Sequence, residues 1–154
     1  MKIFISYGSA SDQVTALRLQ ALAAVNGLDV YVPPANTRQS SGPFLDLDSA
    51  QKVNESDVVL GVIGPRISEA CRQELNTSLA LHKPTIAMVD PLVAPQLQPV
   101  FSASLVVVDP ASPEQAEIAI VQHLKAVDAE QNVKKALIAL GTLALGLLIF
   151  APQD

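Results

Sequence analysis

The chain has 154 residues, of which 49% are hydrophobic and 16% charged; it is long enough to enclose a globular core and too apolar for a disordered chain. Its formal net charge of −5 argues against a nucleic-acid-binding surface, which needs clustered Lys and Arg. A single cysteine, Cys71, excludes an internal disulfide and a cysteine-based metal site and fits a reducing compartment.

Strand-like and helix-like patterns alternate from the N-terminus onward. The first run, residues 2–6, is typical of a strand and not of a signal peptide, so we expect a cytoplasmic domain. The sequence shows no evident set of metal ligands, and no catalytic metal is expected. Runs rich in β-branched residues predict strands at residues 2–6, 28–32, 57–64, 85–89 and 104–109. Helices are predicted from a Ser9 or Ser11 N-cap to Gly27, over 45–56 and 68–82, and from a capping box that begins at Ser112.

Two details of this pattern can be checked directly against a structure. In the first helix, Val14, Leu17, Ala21 and Val25 recur at the spacing of one helix face, which predicts an apolar face there. Residues 91–103 contain three prolines, which leave room for at most one short helical turn.

Five strands that alternate with helices predict an open, doubly wound α/β fold of the flavodoxin-like type, with a parallel five-stranded sheet and helices on both faces. In such sheets ligands bind outside the carboxyl ends of the strands, near the point where the strand order reverses. Three segments are expected to meet there: Tyr7–Asp12, Pro33–Phe44 and Gly64–Glu74.

Glu74 is the candidate catalytic residue within the third segment. Surface glutamates on helices are often supported by a cation three or four residues away, as Glu69 is by Arg72. The residues at those distances from Glu74 are all small: Ala70, Cys71, Thr77 and Ser78. This pattern favours a concave patch around the carboxylate, and the alternative is an ordinary solvated glutamate.

The same three segments resemble those of a TIR domain of the stand-alone prokaryotic kind. The stretch FISY (Phe4–Tyr7), followed by Asp12, resembles the family's first box, and residues 33–44 fall where the family has its mobile BB loop. The stretch SDVVLGVIGPRISEACRQEL resembles the family's segment that contains the catalytic glutamate, and KPTIAMV resembles the strand that follows. The Ser, Cys and Glu of that segment correspond to Ser68, Cys71 and Glu74. The resemblance covers roughly residues 2–128.

In enzymatic members of that family, the glutamate that matches Glu74 cleaves NAD⁺ between nicotinamide and ribose. The resemblance therefore implies an NAD⁺ glycohydrolase or ADP-ribosyl cyclase of a prokaryotic anti-phage or stress response, activated by homo-oligomerisation through TIR–TIR contacts, with NAD⁺ as substrate and no cofactor. A carboxylate would stabilise the oxocarbenium-like state, and the pyridinium leaving group needs no general acid. Whether the product is ADP-ribose or its cyclic form stays open.

Further residues are expected to contact the substrate: Ser6, Tyr7, Gly8, Arg38, Phe44, Ser68 and Cys71. The turn that contains Gly8 could bind a pyrophosphate at a helix N-terminus, Tyr7 could stack on a ring, and Arg38 could pair with a phosphate. Each also has a structural alternative: a capped turn, cover for the sheet edge and an incidental loop residue. Likewise Ser68 is expected as an N-cap, Cys71 as a small buried side chain and Phe44 as a loop anchor.

Two other functions remain open at this stage. Ala70 and Gly8 depart from the family's usual residues and favour a non-catalytic TIR scaffold that signals by self-association. A nucleoside deoxyribosyltransferase-like enzyme would share the architecture and also use a glutamate against an anomeric carbon.

The C-terminal residues form a distinct unit. We divide the chain into a domain at 1–133 and a hydrophobic helix at 134–154, because the 16 residues Ala136–Ala151 carry no charge. A helix of residues 136–152 would be about 25 Å long, just short of a hydrocarbon core of about 30 Å. The segment is expected either to attach the domain to a membrane, with Lys134 and Lys135 on the cytoplasmic side, or to pack against a partner subunit or its own domain.

Overall fold

The computed structural model describes residues 1–35, 45–101 and 104–130. Its strands are β1 (Lys2–Tyr7), β2 (Asp29–Tyr31), β3 (Val58–Ile63), β4 (Thr85–Val89) and β5 (Leu105–Val107). Its helices are α1 (Ala10–Val25), α2 (Leu47–Glu55), α3 (Glu69–Ala80), α4 (Ala94–Phe101) and α5 (Pro113–Glu130). Most of the predicted loop at 33–44 and all of the predicted C-terminal unit at 134–154 lie outside the described residues.

The five strands form one parallel sheet in the order β2-β1-β3-β4-β5. The prediction of an open, doubly wound α/β fold is therefore confirmed. The chain moves outward from β1 to β2 and then returns to the other side of β1 as β3. The order reverses between β1 and β3, which is where this architecture binds ligands.

Strand alternation divides the core into two layers. Along β1, Ile3, Ile5 and Tyr7 face the layer that contains α1 and α5, whereas Phe4 faces the layer that contains α2, α3 and α4. Every residue of β3 is buried, as expected for a central strand covered on both faces. Since successive side chains point to opposite faces of the sheet, consecutive residues of β1 contact different layers of the core.

The residues Val14, Leu17, Ala21 and Val25 form one apolar face of α1, but this face does not pack on the sheet. Val14, Leu17 and Val25 are among the exposed large hydrophobic residues, whereas Leu19, with Ala16 and Ala23, is buried against the sheet. The helix α1 has so many apolar residues that two of its faces are apolar. The face that contains Leu19 packs on the sheet, because the small Ala16 and Ala23 beside it permit close contact.

Residues 91–103 contain a longer helix than their prolines suggested. The helix α4 has eight residues and includes Pro99, so the prediction of one short turn is wrong. Pro95 lies in the first turn, where a backbone N–H has no partner within the helix. Pro99 does cost the helix a hydrogen bond, and the burial of Ala94 and Phe101 in the core offsets that cost.

The remaining helix boundaries agree with the sequence. Ser9 is the N-cap of α1 and Ser68 that of α3, and α5 begins at Pro113 as predicted. Across the three described ranges, no helix combines the length and the apolar character that a membrane crossing needs.

Leu19→Ala tests the observed orientation of α1. Leu19 is 1% exposed, so its truncation leaves a cavity and should lower the free energy of unfolding by about 2–5 kcal/mol. Leu47→Ala, at a residue that is 86% exposed, is the control and should cost less than about 0.5 kcal/mol. Urea denaturation of both variants measures the difference, and equal costs would contradict the observed packing.

Candidate functional site

The segments that follow β1, β2 and β3 meet at the carboxyl edge of the sheet. Tyr7 Oη donates to the carbonyl oxygen of Pro33 at 2.7 Å and so joins the first segment to the second. Asp12 Oδ2 accepts from Gly64 N at 3.3 Å and joins the first segment to the third. These contacts bring the predicted segments together, as far as their described residues extend.

Asp12 connects two loops through backbone hydrogen bonds. Its Oδ2 also accepts from Ser9 N at 3.2 Å, and Ser9 Oγ accepts from Asp12 N at 3.3 Å, which completes a capping box at the start of α1. The side chain of Asp12 is buried. A Cβ on Gly64 would collide with the Asp12 carboxylate, so glycine is required for this close approach.

Glu74 belongs to α3 and lies fully buried beneath this edge, in the layer of α2, α3 and α4. Ser6 Oγ donates to Glu74 Oε1 at 2.7 Å and also lies 3.2 Å from Cys71 Sγ. A hydroxyl has one proton to donate, and the shorter contact with the carboxyl oxygen is the stronger of the two. The hydroxyl of Ser6 therefore fixes the orientation of the Glu74 carboxyl group.

Glycine at position 61 allows α3 to lie close enough for this hydrogen bond. Gly61 pairs with Ser6 across β1 and β3, and a Cβ there would come within 3.0 Å of Leu75 Cδ2. The small residues Ala70, Cys71 and Ser78 are buried in the same helix. They form a packed contact between α3 and the sheet, so the open concave patch expected around Glu74 is not what the structure has.

The predicted site residues divide between the two layers and the edge. Ser6, Cys71 and Glu74 come together, whereas the Tyr7 side chain is buried in the layer of α1 and α5. At Gly8, a Cβ would lie 3.2 Å from Ser68 N, so the first and third segments touch here.

The other predicted contacts have structural positions or cannot be placed. Ser68 Oγ accepts from Cys71 N at 3.1 Å, which confirms Ser68 as an N-cap. Cys71 is buried, as expected for a small core side chain. Arg38 and Phe44 lie outside the described residues. Within the described ranges, no cluster of three or more His, Cys, Asp or Glu side chains could hold a metal ion.

The connection made by Asp12 was missed from the sequence. The Ser-x-x-Asp spacing of Ser9 and Asp12 is a capping-box signal, and it could have located Asp12 at the start of α1. The contact with Gly64 joins residues 52 positions apart, so no local pattern reveals it.

No family model matches the sequence, and no curated protein matches it. The fold is similar to the sugar isomerase domain of an RpiR transcription factor from Sphaerobacter thermophilus, at 18% identity and a TM-score of 0.53, over 90% of this chain and 74% of that chain. It is also similar to the CMP N-glycosidase BcmB from Clostridium botulinum, at 14% identity and a TM-score of 0.50, over 82% of this chain and 99% of that chain. At these identities, the similarities show a shared α/β fold. One of the two proteins with this fold is an enzyme that cleaves a glycosidic bond.

These comparisons overturn the resemblance to a TIR domain. The short motifs that suggested it follow strands of a doubly wound sheet, where Ser, Gly and Asp recur as caps and turns in unrelated proteins. Here Ser68 is the N-cap of α3, and Asp12 is the N3 residue of the capping box that Ser9 begins at α1. The TIR scaffold, the BB-loop role of residues 33–44 and TIR–TIR association therefore lose their basis.

A double-mutant cycle on Asp12→Ala and Gly64→Ala tests the connection between the two loops. Each single change should lower the free energy of unfolding by about 1–3 kcal/mol, because each breaks or displaces a buried hydrogen bond to a carboxylate. The double variant should cost clearly less than the sum, since both changes remove one shared contact. Asp29→Ala, at an exposed residue of β2, is the control for loss of an aspartate. Additive costs in urea denaturation would show that the two residues do not interact.

Proposed function

We propose that the protein cleaves the N-glycosidic bond of a nucleotide and that Glu74 is the catalytic carboxylate. The observation that carries the proposal is the burial of Glu74 at the carboxyl edge between β1 and β3, with its carboxyl group held by Ser6 at 2.7 Å. Similarity of fold to a CMP N-glycosidase supports the choice of bond.

The chemistry needs a negative charge beside the anomeric carbon. When the bond from C1′ to the base nitrogen breaks, the electron pair leaves with the base and positive charge develops on C1′ and the ring oxygen. A preoriented carboxylate stabilises that charge, and it does so more strongly where water is excluded. Water then adds to C1′ and gives up a proton, so the products are the free base and the remaining sugar phosphate, which is ribose 5-phosphate from CMP and ADP-ribose from NAD⁺.

Two substrate classes differ in what they demand of the site. In NAD⁺ the leaving nicotinamide departs as a neutral molecule, so a carboxylate alone suffices. A pyrimidine nucleotide such as CMP needs a proton on the departing base as well. The simpler requirement favours NAD⁺, and the similarity to the CMP N-glycosidase favours a nucleoside monophosphate, so both belong in the first assay.

Full burial of Glu74 adds a step to this mechanism. A substrate can reach the carboxylate only after the covering groups move, so an opening motion precedes chemistry. Closure would then keep bulk water away from the reacting carbon.

The same burial favours a second candidate, transfer of the sugar to another base in the manner of a nucleoside deoxyribosyltransferase. In that reaction the carboxylate attacks C1′ and forms a glycosyl-enzyme intermediate, which a second base resolves in place of water. Exclusion of water lengthens the life of such an intermediate. A deoxynucleoside supplied with a second free base separates transfer from hydrolysis.

Glu74→Gln is the principal test of the proposed function. The full-length protein is incubated with NAD⁺, CMP and a deoxynucleoside with a second base, and the products are resolved by mass. Glutamine keeps the shape and loses the charge, so turnover should fall by about 10²- to 10³-fold or more.

Glu117→Gln is the matched control, because Glu117 is a second buried carboxylate that lies on α5 and pairs with Arg18. It should keep turnover within about threefold even if both variants lose stability, since its charge is far from the reacting carbon. Retained turnover in Glu74→Gln would reject Glu74 as the catalytic residue. No turnover of any substrate by the parent protein would reject the proposed function.

Ser6→Ala tests whether the Ser6 hydroxyl positions the carboxylate. A hydrogen bond to a charged group contributes about 1.5–3 kcal/mol, so kcat should fall by about 10- to 100-fold. We expect KM to change little, because the hydroxyl acts on Glu74 and not on the substrate. Ser78→Ala is the control, since Ser78 is equally buried on α3 and bonds Thr85 at 2.7 Å. An equal loss of kcat in both variants would indicate a general packing effect.

A further inference from the structure

The outward face of α1 is apolar along its length. Val14, Leu17 and Val25 are 56%, 47% and 86% exposed, and Ala21 lies exposed between them. All residues of α1 are described, and Arg18 is the one charged residue among those classed as exposed. A helix face of this composition is unusual against water and indicates a surface that is covered in the folded protein.

Arg18, the charged residue on this face, forms an ion pair with the neighbouring helix α5. Arg18 Nη2 lies 2.6 Å from Glu117 Oε1 on α5, and the Glu117 side chain is buried. Ile118, the next residue on α5, is 50% exposed. We define the α1–α5 face as Val14, Leu17, Ala21, Val25 and Ile118.

The chain leaves α5 beside this face. Met1 N, at the start of β1, lies 3.0 Å from Asp128 Oδ1 in the last turns of α5. Lys2 is paired in register with Asp29, just after the end of α1. Both helices therefore end at the same edge of the sheet, and Val25, the most exposed residue of the face, lies at that edge.

We propose that the apolar segment of residues 136–151 packs on the α1–α5 face of its own chain. Five residues separate the end of α5 at Glu130 from Ala136, and they can span up to about 17 Å. Packed helices lie about 8–10 Å apart, so the connection is long enough for the segment to turn back.

The lengths and side chains of the two surfaces match. From Val14 to Val25 the face extends about 16 Å along the helix, and a 16-residue helix is about 24 Å long. In a helix, Gly141 and Ala144 would lie on one side, and their small size would permit close contact with the exposed Ala21. Since the segment carries no charge, it meets Arg18 without a competing partner for the Arg18–Glu117 pair.

Covalent connection favours the same chain over a second copy. A short linker holds the segment at an effective concentration of about a millimolar or more, far above that of a second molecule in dilute solution. Packing on the face buries both apolar surfaces at once.

Thiol labelling of the full-length protein tests this proposal. Val25→Cys places a thiol on the face, and Leu47→Cys places one on the opposite layer at a residue that is also 86% exposed. The native Cys71 is buried, and its own rate is subtracted with the parent protein. We expect the thiol at position 25 to react at least about tenfold more slowly than the one at 47, because reaction requires local opening of the covering segment.

Changes within the segment then identify what covers the face. Leu148→Asp, on the same side of the helix as Gly141 and Ala144, combined with Val25→Cys should raise the labelling rate to that of Leu47→Cys, whereas Leu148→Ile should leave it slow. Circular dichroism confirms that each variant is folded, and labelling is repeated over a hundredfold dilution and with phospholipid vesicles.

Protection that persists at every dilution and is lost only with Leu148→Asp supports the proposal. Equal rates at positions 25 and 47 overturn it. Protection that disappears on dilution overturns it in favour of a second copy of the chain, and protection that requires vesicles overturns it in favour of a membrane.

Discussion

The close approach of α3 to the centre of the sheet is the constraint on which the candidate site depends. Gly61 offers no side chain where Leu75 lies against β3, and this brings Glu74 within hydrogen-bonding distance of Ser6. Burial of a carboxyl group is costly unless it is hydrogen-bonded. Ser6 meets part of that need, so the polar pair and the tight packing support one another.

Alternation along β1 then separates structural from chemical roles. Ser6 faces α3 and contacts Glu74, whereas its neighbour Tyr7 points to the opposite layer and holds the segment after β2 through Pro33. The two residues thus serve the same edge from different faces of the sheet. Asp12 completes the arrangement, because it joins the loops after β1 and β3 without belonging to either layer of the core.

The fold could be predicted from the sequence because strand runs and helix caps are local signals. Ser9, Ser68 and Pro113 begin helices where their residue types indicate. The face of α1 that packs on the sheet could not be predicted from the sequence, because the helix has two apolar faces. Which of them is buried depends on the tertiary packing with α5 and the sheet. Glu74 was identified as a candidate mainly from the resemblance to a TIR segment and also from its small neighbours. Those neighbours pack against the sheet and do not border an open surface. The Asp12–Gly64 contact is long-range, and the short motifs at this edge suggested a family that the comparisons do not support.

The two outer strands of the sheet, β2 and β5, have three residues each, whereas the central β1 and β3 have six. A parallel sheet ends on both sides in strands with unpaired backbone groups, and long edges can recruit strands from other molecules. Edges of three residues offer few such groups, and Asp29 adds a charge to the first of them. The sheet is therefore poorly suited to growth by edge-to-edge pairing, which should help the protein to resist aggregation at high concentration despite its apolar composition.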